Sequence, residues 1–347
     1  MAQLLDLDAD NTAATKFLES YIQSGNLNFL IGSGASSPAI KVAGTIEADI
    51  NKLLSGGKEP EANVKSLDFI LDINKVNAAL VAAPTANIAK VASDYAKFIS
   101  CVDQILFARK NILLPRQANI FTTNYDMFIE YAANGIPTVM LNDGFDRSSA
   151  LGSEFRFAPE KYFDRTYRSG ALHNHQTEIP TINLIKLHGS VSWRRSKDTV
   201  VFDLKPVKSL STAERADTAK VAEFLQQHFL ILPNLRKFHT TLMERTYYDL
   251  LRLFSKAMDQ QNVVLIAFGF SFADEHLLDI TRRALRNPTS HLVIISYDRG
   301  SSGEYQSKFA QQRNVTIVCP NAATKIDFDR LNAILTLTMS GQADAAA

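Results

Sequence analysis

The sequence predicts an α/β protein built on a doubly wound parallel sheet. Three observations predict it: short continuous apolar runs, amphipathic stretches alternating with them, and four polar or glycine-bearing motifs, each directly after a run. Seven runs read as strands: Leu27–Ile31, Asn119–Phe121, Thr138–Leu141, Ile182–Leu187, Val263–Phe268, Leu292–Ser296 and Val315–Val318. Most are continuous rather than alternating, which suits strands covered on both faces. Between them lie helical patterns: Ala13–Ser24 before the first run, Ala86–Arg109, Tyr125–Ala133, Leu242–Gln260 and Glu275–Arg286. Strand–helix alternation of this kind is the signature of a parallel sheet with helices on its faces.

At about 150 residues per domain, the 347 residues allow two units or one large domain with insertions. We read one domain over 1–347 with a Rossmann-like core at about 25–35, 111–144, 182–193 and 240–335. Three segments interrupt the rhythm, at about 37–84, 145–181 and 194–217. The first holds helical pieces around a polar turn at Ser55–Pro60; the others show no clear period. They are expected to rim the site as helical insertions packed into a smaller module. The small, polar stretch Gly341–Ala347 is expected to be a disordered tail.

The apolar fraction of 46% supports a sizeable core, and a net charge of +1 gives no whole-molecule field to recruit DNA or an anionic membrane. Two cysteines, Cys101 and Cys319, are too few for a four-ligand zinc site or a disulfide framework. The start MAQLLDLDAD lacks the basic and apolar regions of a signal peptide, and no stretch approaches the ~18 apolar residues of a membrane span. The expectation is a cytoplasmic protein in a reducing environment.

The motifs carry the chemistry. In GSGAS (Gly32–Ser36), Gly32 and Gly34 permit close backbone approach to a pyrophosphate, with the free N–H groups of a following helix start as anion donors. The third glycine of the usual dinucleotide pattern is missing, and Pro38 restricts how a helix begins; a Gly-rich turn without a ligand reads equally well. In TTNYD (Thr122–Asp126), Asn124 can orient a ribose hydroxyl or a water and Asp126 can accept ribose hydroxyls or support the amide, although both types also serve as helix caps. In LHGS (Leu187–Ser190), His188 at a strand end suits general-base work near neutral pH, or a structural role. In GFSF (Gly269–Phe272), Gly269 and Ser271 can reach a phosphate or ribose, while Asp274 and Glu275 read as the cap and first turn of a helix. Asp298, after the next strand, can sit near an adenosine ribose or in a turn. His173 and His175 are read as structural rather than metal-ligating, and Arg194–Arg195 as a solvated basic edge.

Taken together, GSGAS, TTNYD, LHGS and GFS in that order resemble the sirtuin superfamily, specifically the bacterial sirtuin-like domains of antiphage systems. Sirtuins carry G-A-G-x-S, T-Q-N-x-D, a catalytic histidine in an H-G pair, and a late G-x-S strand end. The resemblance spans roughly Leu27–Asp298. It implies NAD as the ligand. Gly32, Ser33, Gly34, Ala35 and Ser36 would form its phosphate loop, and Asn124 and Asp126, with Thr123 beside them, would sit at the nicotinamide ribose. His188 would be the catalytic base, and Gly269 and Ser271 would contact the phosphate–ribose portion. Protein-deacylating sirtuins also have a four-cysteine zinc module and a G-I-P-D-F-R continuation; this chain has two cysteines and reads SPAIKVAG.

Those departures match the sirtuin-like NAD hydrolases, which deplete NAD during phage infection. The chain looks most like the subunit that assembles with a HerA-type hexameric ATPase. The resemblance thus implies an NAD glycohydrolase without a metal, homo-oligomeric and held inactive until assembly. Two rivals use the same site: a protein deacylase or ADP-ribosyltransferase, marked by peptide-dependent nicotinamide release, and a sensor that binds NAD or ADP-ribose without turnover.

Overall fold

A computed structural model of the chain describes residues 2–7, 11–109, 113–147, 154–170, 176–196, 199–203, 209–230 and 245–344. Strand β1 (Gln3–Asp6) and helix α1 (Thr12–Ser24) lead into β2 (Asn26–Ile31) and a 3₁₀ turn (Ser33–Ser36). Three helices follow: α2 (Ala43–Ser55), α3 (Glu59–Ala82) and α4 (Ala86–Ala108). Then come β3 (Gln117–Thr122), α5 (Phe128–Asn134), β4 (Met140–Asn142), β5 (Phe145–Asp146), β6 (Glu154–Phe157), β7 (Tyr167–Ser169) and β8 (Gln176–Glu178). Next are β9 (Thr181–Lys186), β10 (Gly189–Ser196), β11 (Thr199–Asp203), α6 (Thr212–Ala216), α7 (Thr218–Gln227) and β12 (His228–Leu230). The chain continues through α8 (Arg245–Met258), β13 (Val263–Phe268), α9 (Glu275–Ala284), β14 (His291–Ile295), α10 (Arg299–Lys308), β15 (Val315–Cys319) and α11 (Phe328–Asp344).

The centre is an eight-stranded parallel sheet in the order β1-β15-β14-β13-β2-β3-β9-β4. All seven expected strands lie in it. Successive side chains of a strand point to opposite faces, and both faces are dry. Val264, Ile266 and Phe268 pack into one core with α1, α4, α5 and α11. Val263, Leu265 and Ala267 pack into the other with α8 and α9. This is the doubly wound, Rossmann-like class that the continuous apolar runs predict. The eighth strand, β1, is a four-residue edge strand with mostly exposed side chains, so no apolar run announces it.

Chain order runs outward from β2 through β3 towards β4, and outward from β13 through β14 to β15. The loops after β2 and β13 therefore leave in opposite directions at neighbouring strand ends. Such a switch point is where open α/β sheets form their crevice.

Two expectations need correction. Segment 37–84 is helical as α2 and α3, but the segments at 145–181 and 194–217 do not join it as a helical module. Strands β5, β6, β10, β11 and β12 form a five-stranded antiparallel sheet in the order β12-β10-β11-β6-β5. Its inner face is aromatic, with the Phe145 ring 5.3–5.5 Å from those of Phe157, Trp193 and Phe202. Aromatic and β-branched side chains favour a pleated surface over a helix. The pairing of β11 with β6 joins segments more than 40 residues apart, and no local period reveals it. The second correction is at the end of the chain, where α11 continues to Asp344 into the stretch expected to be disordered. One glycine costs a helix only about 1 kcal/mol. Residues 345–347 lie outside the described residues, as do His173 and His175. Among the described residues, no helix is long and apolar enough to cross a membrane.

A ladder of amides crosses the sheet. Asn28, Asn119, Asn183 and Asn142 stand in register on β2, β3, β9 and β4. Asn119 Nδ2 donates to Asn28 Oδ1 (2.8 Å), Asn183 Nδ2 to Asn119 Oδ1 (2.9 Å) and Asn142 Nδ2 to Asn183 Oδ1 (3.0 Å). A slip of one residue would leave every amide facing apolar neighbours, so the ladder pins the register of the strands that carry the site.

Removing one rung tests this. Asn183→Leu leaves the half-buried Asn119 Oδ1 without its donor and should lower stability by about 0.5–1.5 kcal/mol, read as a lower urea midpoint at unchanged m. An unchanged midpoint would remove the ladder from the account. Burial also pulls the imidazoles of His228 and His291 down to about 4, from an ordinary 6.5. Both stay neutral in the fold while the unfolded chain takes up protons below about pH 6.5. Stability should therefore fall as pH drops through the window from about 6.5 to 4. His291→Phe should flatten that slope in thermal melts; an unaltered slope would exonerate His291.

Candidate functional site

The four motifs meet in a cleft at the C-terminal ends of β2, β3, β9 and β13. Ser33, Gly34 and Ser36 come from the first loop, Thr123, Asn124 and Asp126 from the second, His188 from the third, and Gly269 and Ser271 from the fourth. Lys41, Val42, Gly44 and Glu47, at and before the start of α2, close one side, and Phe69 and Ile73 of α3 form an apolar wall. The enclosed volume is about 170 Å³. Sites that engulf a drug-sized ligand run to ~300–1,000 Å³, so this cleft is smaller than a site that encloses a whole ligand of that size.

Asn124 is held by several hydrogen bonds. Its backbone N–H donates to Thr122 Oγ1 (3.0 Å), whose own hydroxyl donates to the Ile31 carbonyl (2.9 Å). Its Nδ2 donates to the Gly32 carbonyl (3.1 Å), Ser36 Oγ (3.1 Å) and Tyr95 OH (3.3 Å). Turning the amide over would set its oxygen against the Gly32 carbonyl, so the orientation is fixed. Its Oδ1 is then left buried and without a partner among the described residues. A native structure rarely leaves such an atom unmatched.

Ser36 and Asp126 support this arrangement. Ser36 has one hydroxyl proton, which it donates to Asp126 Oδ2 (2.7 Å). Tyr95 OH, 3.0 Å from Ser36 Oγ, must then donate to it while accepting from Asn124. Asp126 Oδ1 accepts from the Phe128 N–H at the start of α5 (3.2 Å). Burial pushes the Asp126 carboxyl up from its ordinary range, opposed chiefly by the nearby Lys186 ammonium. Both Asp126 oxygens are thus engaged by the protein, and the residue reaches Asn124 through Ser36.

Lys186, buried two residues before His188, ties the loops together. Its ammonium donates to the Asp126 carbonyl, to Ser190 Oγ (3.2 Å) and to Glu130 Oε1 (2.7 Å). Burial raises the Glu130 carboxyl, and Lys186 counters it. His188 sits in the turn between β9 and β10, its Nε2 3.0 Å from Asp274 Oδ2. Asp274 Oδ1 accepts from the N–H groups of His276 (3.0 Å) and Leu277 (3.2 Å), capping α9. The expected capping role is therefore real, and a contact with His188 is added to it.

The glycines join two of the loops. A Cβ on Gly32 would lie 2.3 Å from the Gly269 carbonyl oxygen, and Gly269 itself has φ +64°. The first and fourth loops therefore touch backbone to backbone. The Gly32 N–H donates to Phe268 O and the Gly34 N–H to Gly269 O, both at 3.0 Å. No regular helix follows; a four-residue 3₁₀ turn intervenes and α2 starts only at Ala43. Gly32 and Ala35 stand behind the cleft wall rather than in it. Asp298 is also outside the lining: its Oδ1 accepts from the Ser301 N–H and hydroxyl, both at 2.8 Å, and these bonds hold its carboxyl below the usual range. Arg194 is not a solvated edge, since its Nη1 donates to the Val191 carbonyl (2.7 Å) and burial lowers its guanidinium.

Three residues central to the site were not legible from the motifs. Tyr95 is one of many apolar-face positions of α4, and Lys186 looks like a strand residue flanking a solvent turn. Asp274 carried a signal, its place two residues after GFSF, but capping already explained it.

Fold and site define a Rossmann-like α/β protein with a polar cleft at the switch point of its parallel sheet. The chain belongs to the SIR2-like domain family, whose model matches residues 118–318, more than half of the chain. Membership ties the site to NAD-related chemistry and to NAD-using enzymes. The matched stretch holds Asn124, His188 and Gly269–Phe272; GSGAS precedes it and completes the cleft from outside. A search of curated proteins finds no match. Among the described residues, no group of three or more His, Cys, Asp or Glu side chains could hold a metal ion.

Lys186 provides the test of this geometry. Lys186→Met leaves the Glu130 carboxyl buried without its cation and should cost about 3–5 kcal/mol, while the double variant Lys186→Met/Glu130→Gln should recover much of that loss. Chemical denaturation of the four proteins of this cycle measures it, and additive single effects would dissolve the proposed clamp.

Proposed function

We propose that this protein is an NAD⁺ glycohydrolase that cleaves NAD to nicotinamide and ADP-ribose. The observation that carries the reading is the Asn124 amide. Its nitrogen is held by three acceptors and its buried oxygen has no partner among the described residues, in the same cleft as His188. Membership of the SIR2-like family supports NAD as the substrate.

In the reaction, the bond between the nicotinamide ring nitrogen and ribose C1′ breaks, and its electron pair leaves with the ring. Nicotinamide departs neutral, so the chemistry needs no Lewis acid, and positive charge develops on the ribose. Water adds at C1′ and releases one proton; NAD⁺ and water thus yield nicotinamide, ADP-ribose and H⁺. Asn124 Oδ1 accepts a hydrogen bond from the attacking water or a ribose hydroxyl. His188 takes the proton. Negative groups placed where positive charge develops favour the transition state. The carboxylates of Glu47, Asp126 and Asp274 stand among the cleft walls with one lysine, Lys41. That balance suits the cationic nicotinamide end of the substrate better than its pyrophosphate. Ser33, Thr123, Gly269 and Ser271 are the groups offered to the ribose and phosphate beyond it. Gly32, Ala35 and Asp126 serve as the frame.

The wider setting rests on the motif order. It supports a cytoplasmic effector of antiphage abortive infection, homo-oligomeric and paired with a HerA-type ATPase. Unregulated NAD loss is toxic, so activity is low until the partner assembles.

Nicotinamide release from NAD, measured for the protein alone and with any co-purifying partner, tests the reading. His188→Ala should abolish release while NAD binding persists, and Asn124→Ala should slow it by about 100-fold or more. Cleavage retained in His188→Ala would remove the base from the mechanism. NAD binding with no release under either condition would favour the sensor or a peptide-dependent deacylase.

A further inference from the structure

Asp274 and His188 lie 86 residues apart in the chain and meet at 3.0 Å. Their side chains are only 11% and 9% exposed, so the contact is nearly dry and electrostatically stronger than it would be in water. The carboxylate cannot swing away, because its second oxygen is held by two backbone N–H groups at the start of α9.

The loop that delivers Asp274 is itself forced. Phe272 has φ +54°, a left-handed conformation that is strained for a bulky residue. Its buried ring is held at 4.9 Å from Phe270 and 5.0 Å from Phe309, both edge to face. Aromatic packing thus maintains a strained turn, and the product of that turn is a carboxylate aimed at the His188 ring. A helix cap alone needs neither the strain nor the histidine.

We propose that Asp274 is the positioning residue of His188. It accepts from His188 Nε2–H, fixes the ring plane and selects the tautomer protonated on Nε2. The neutral ring then carries its basic lone pair on Nδ1. When a proton moves from water or a ribose hydroxyl to Nδ1, the imidazolium forms beside the carboxylate, which stays ionised and carries no proton. This assignment rests on the glycohydrolase reading for its catalytic consequence, and on the contact alone for the tautomer.

Two variants and two readouts test it. Asp274→Asn keeps a good helix cap and the side-chain shape but removes the charge; Asp274→Ser keeps a cap and withdraws the reach to His188. With the assembled, active protein, both should lower kcat at least about tenfold, with KM changed by less than about threefold and the melting temperature nearly kept. Histidine-selective ¹⁵N NMR of the unliganded protein, assigned with His188→Gln, should show His188 protonated on Nε2 in the wild type and a mixed or reversed tautomer in Asp274→Ser. A kcat within about threefold of wild type in both variants, or a wild-type His188 protonated on Nδ1, overturns the proposal. Should the wild type release no nicotinamide, the hydrolase reading fails first, and the tautomer in wild type and Asp274→Ser still decides the Asp274 contact.

Discussion

A buried ammonium sets the geometry of this site. Lys186 is shut away from water and must have its charge met entirely by protein. Three elements meet it: the Asp126 carbonyl at the end of the second motif, Ser190 Oγ on β10, and the Glu130 carboxylate on α5. Asn124 lies two residues before one of these acceptors, and His188 two residues after the lysine itself. The amide and the imidazole are therefore placed relative to one another by an interaction that involves neither. Two opposite charges in direct contact away from water hold such a geometry more rigidly than apolar packing alone.

Hydrogen-bond direction does the finer work. Ser36 has one proton to give, and giving it to Asp126 turns the Ser36 oxygen into an acceptor for both Asn124 and Tyr95. That chain of donors fixes the Asn124 amide and leaves its oxygen unmatched among the described residues. An unsatisfied buried acceptor costs about 1–3 kcal/mol. A donor placed there would recover that cost. Backbone contact between Gly32 and Gly269 seals the floor beneath it, which is why side chains are excluded there.

Much of the fold was legible because burial on both faces writes itself into sequence. Val263–Phe268 is apolar at every position since every position is covered, and the same holds for the other central strands. Strand β1 escaped because an exposed edge strand leaves no such trace. The antiparallel sheet escaped because Trp193 pairs with Phe202, which pairs with Phe155, across turns and segments with no common period. Asp298 and Asp274 show the same limit in the site. Both follow strands at the same sheet edge and both cap helices; one meets a histidine and the other a serine.

The sequence by itself determined the parallel sheet, the order of its motifs and the side chains at its C-terminal edge. Local apolar pattern and glycine placement are properties of neighbours along the chain, and both can be read there. Only the tertiary structure decided which of those side chains face the cleft, that Gly32 and Gly269 meet backbone to backbone, and that Tyr95, Lys186 and Asp274 orient the groups at its centre. Those outcomes depend on distances between residues 29 to 86 positions apart. Such distances arise only when the sheet closes, because the strands and helices that carry the partners meet nowhere else.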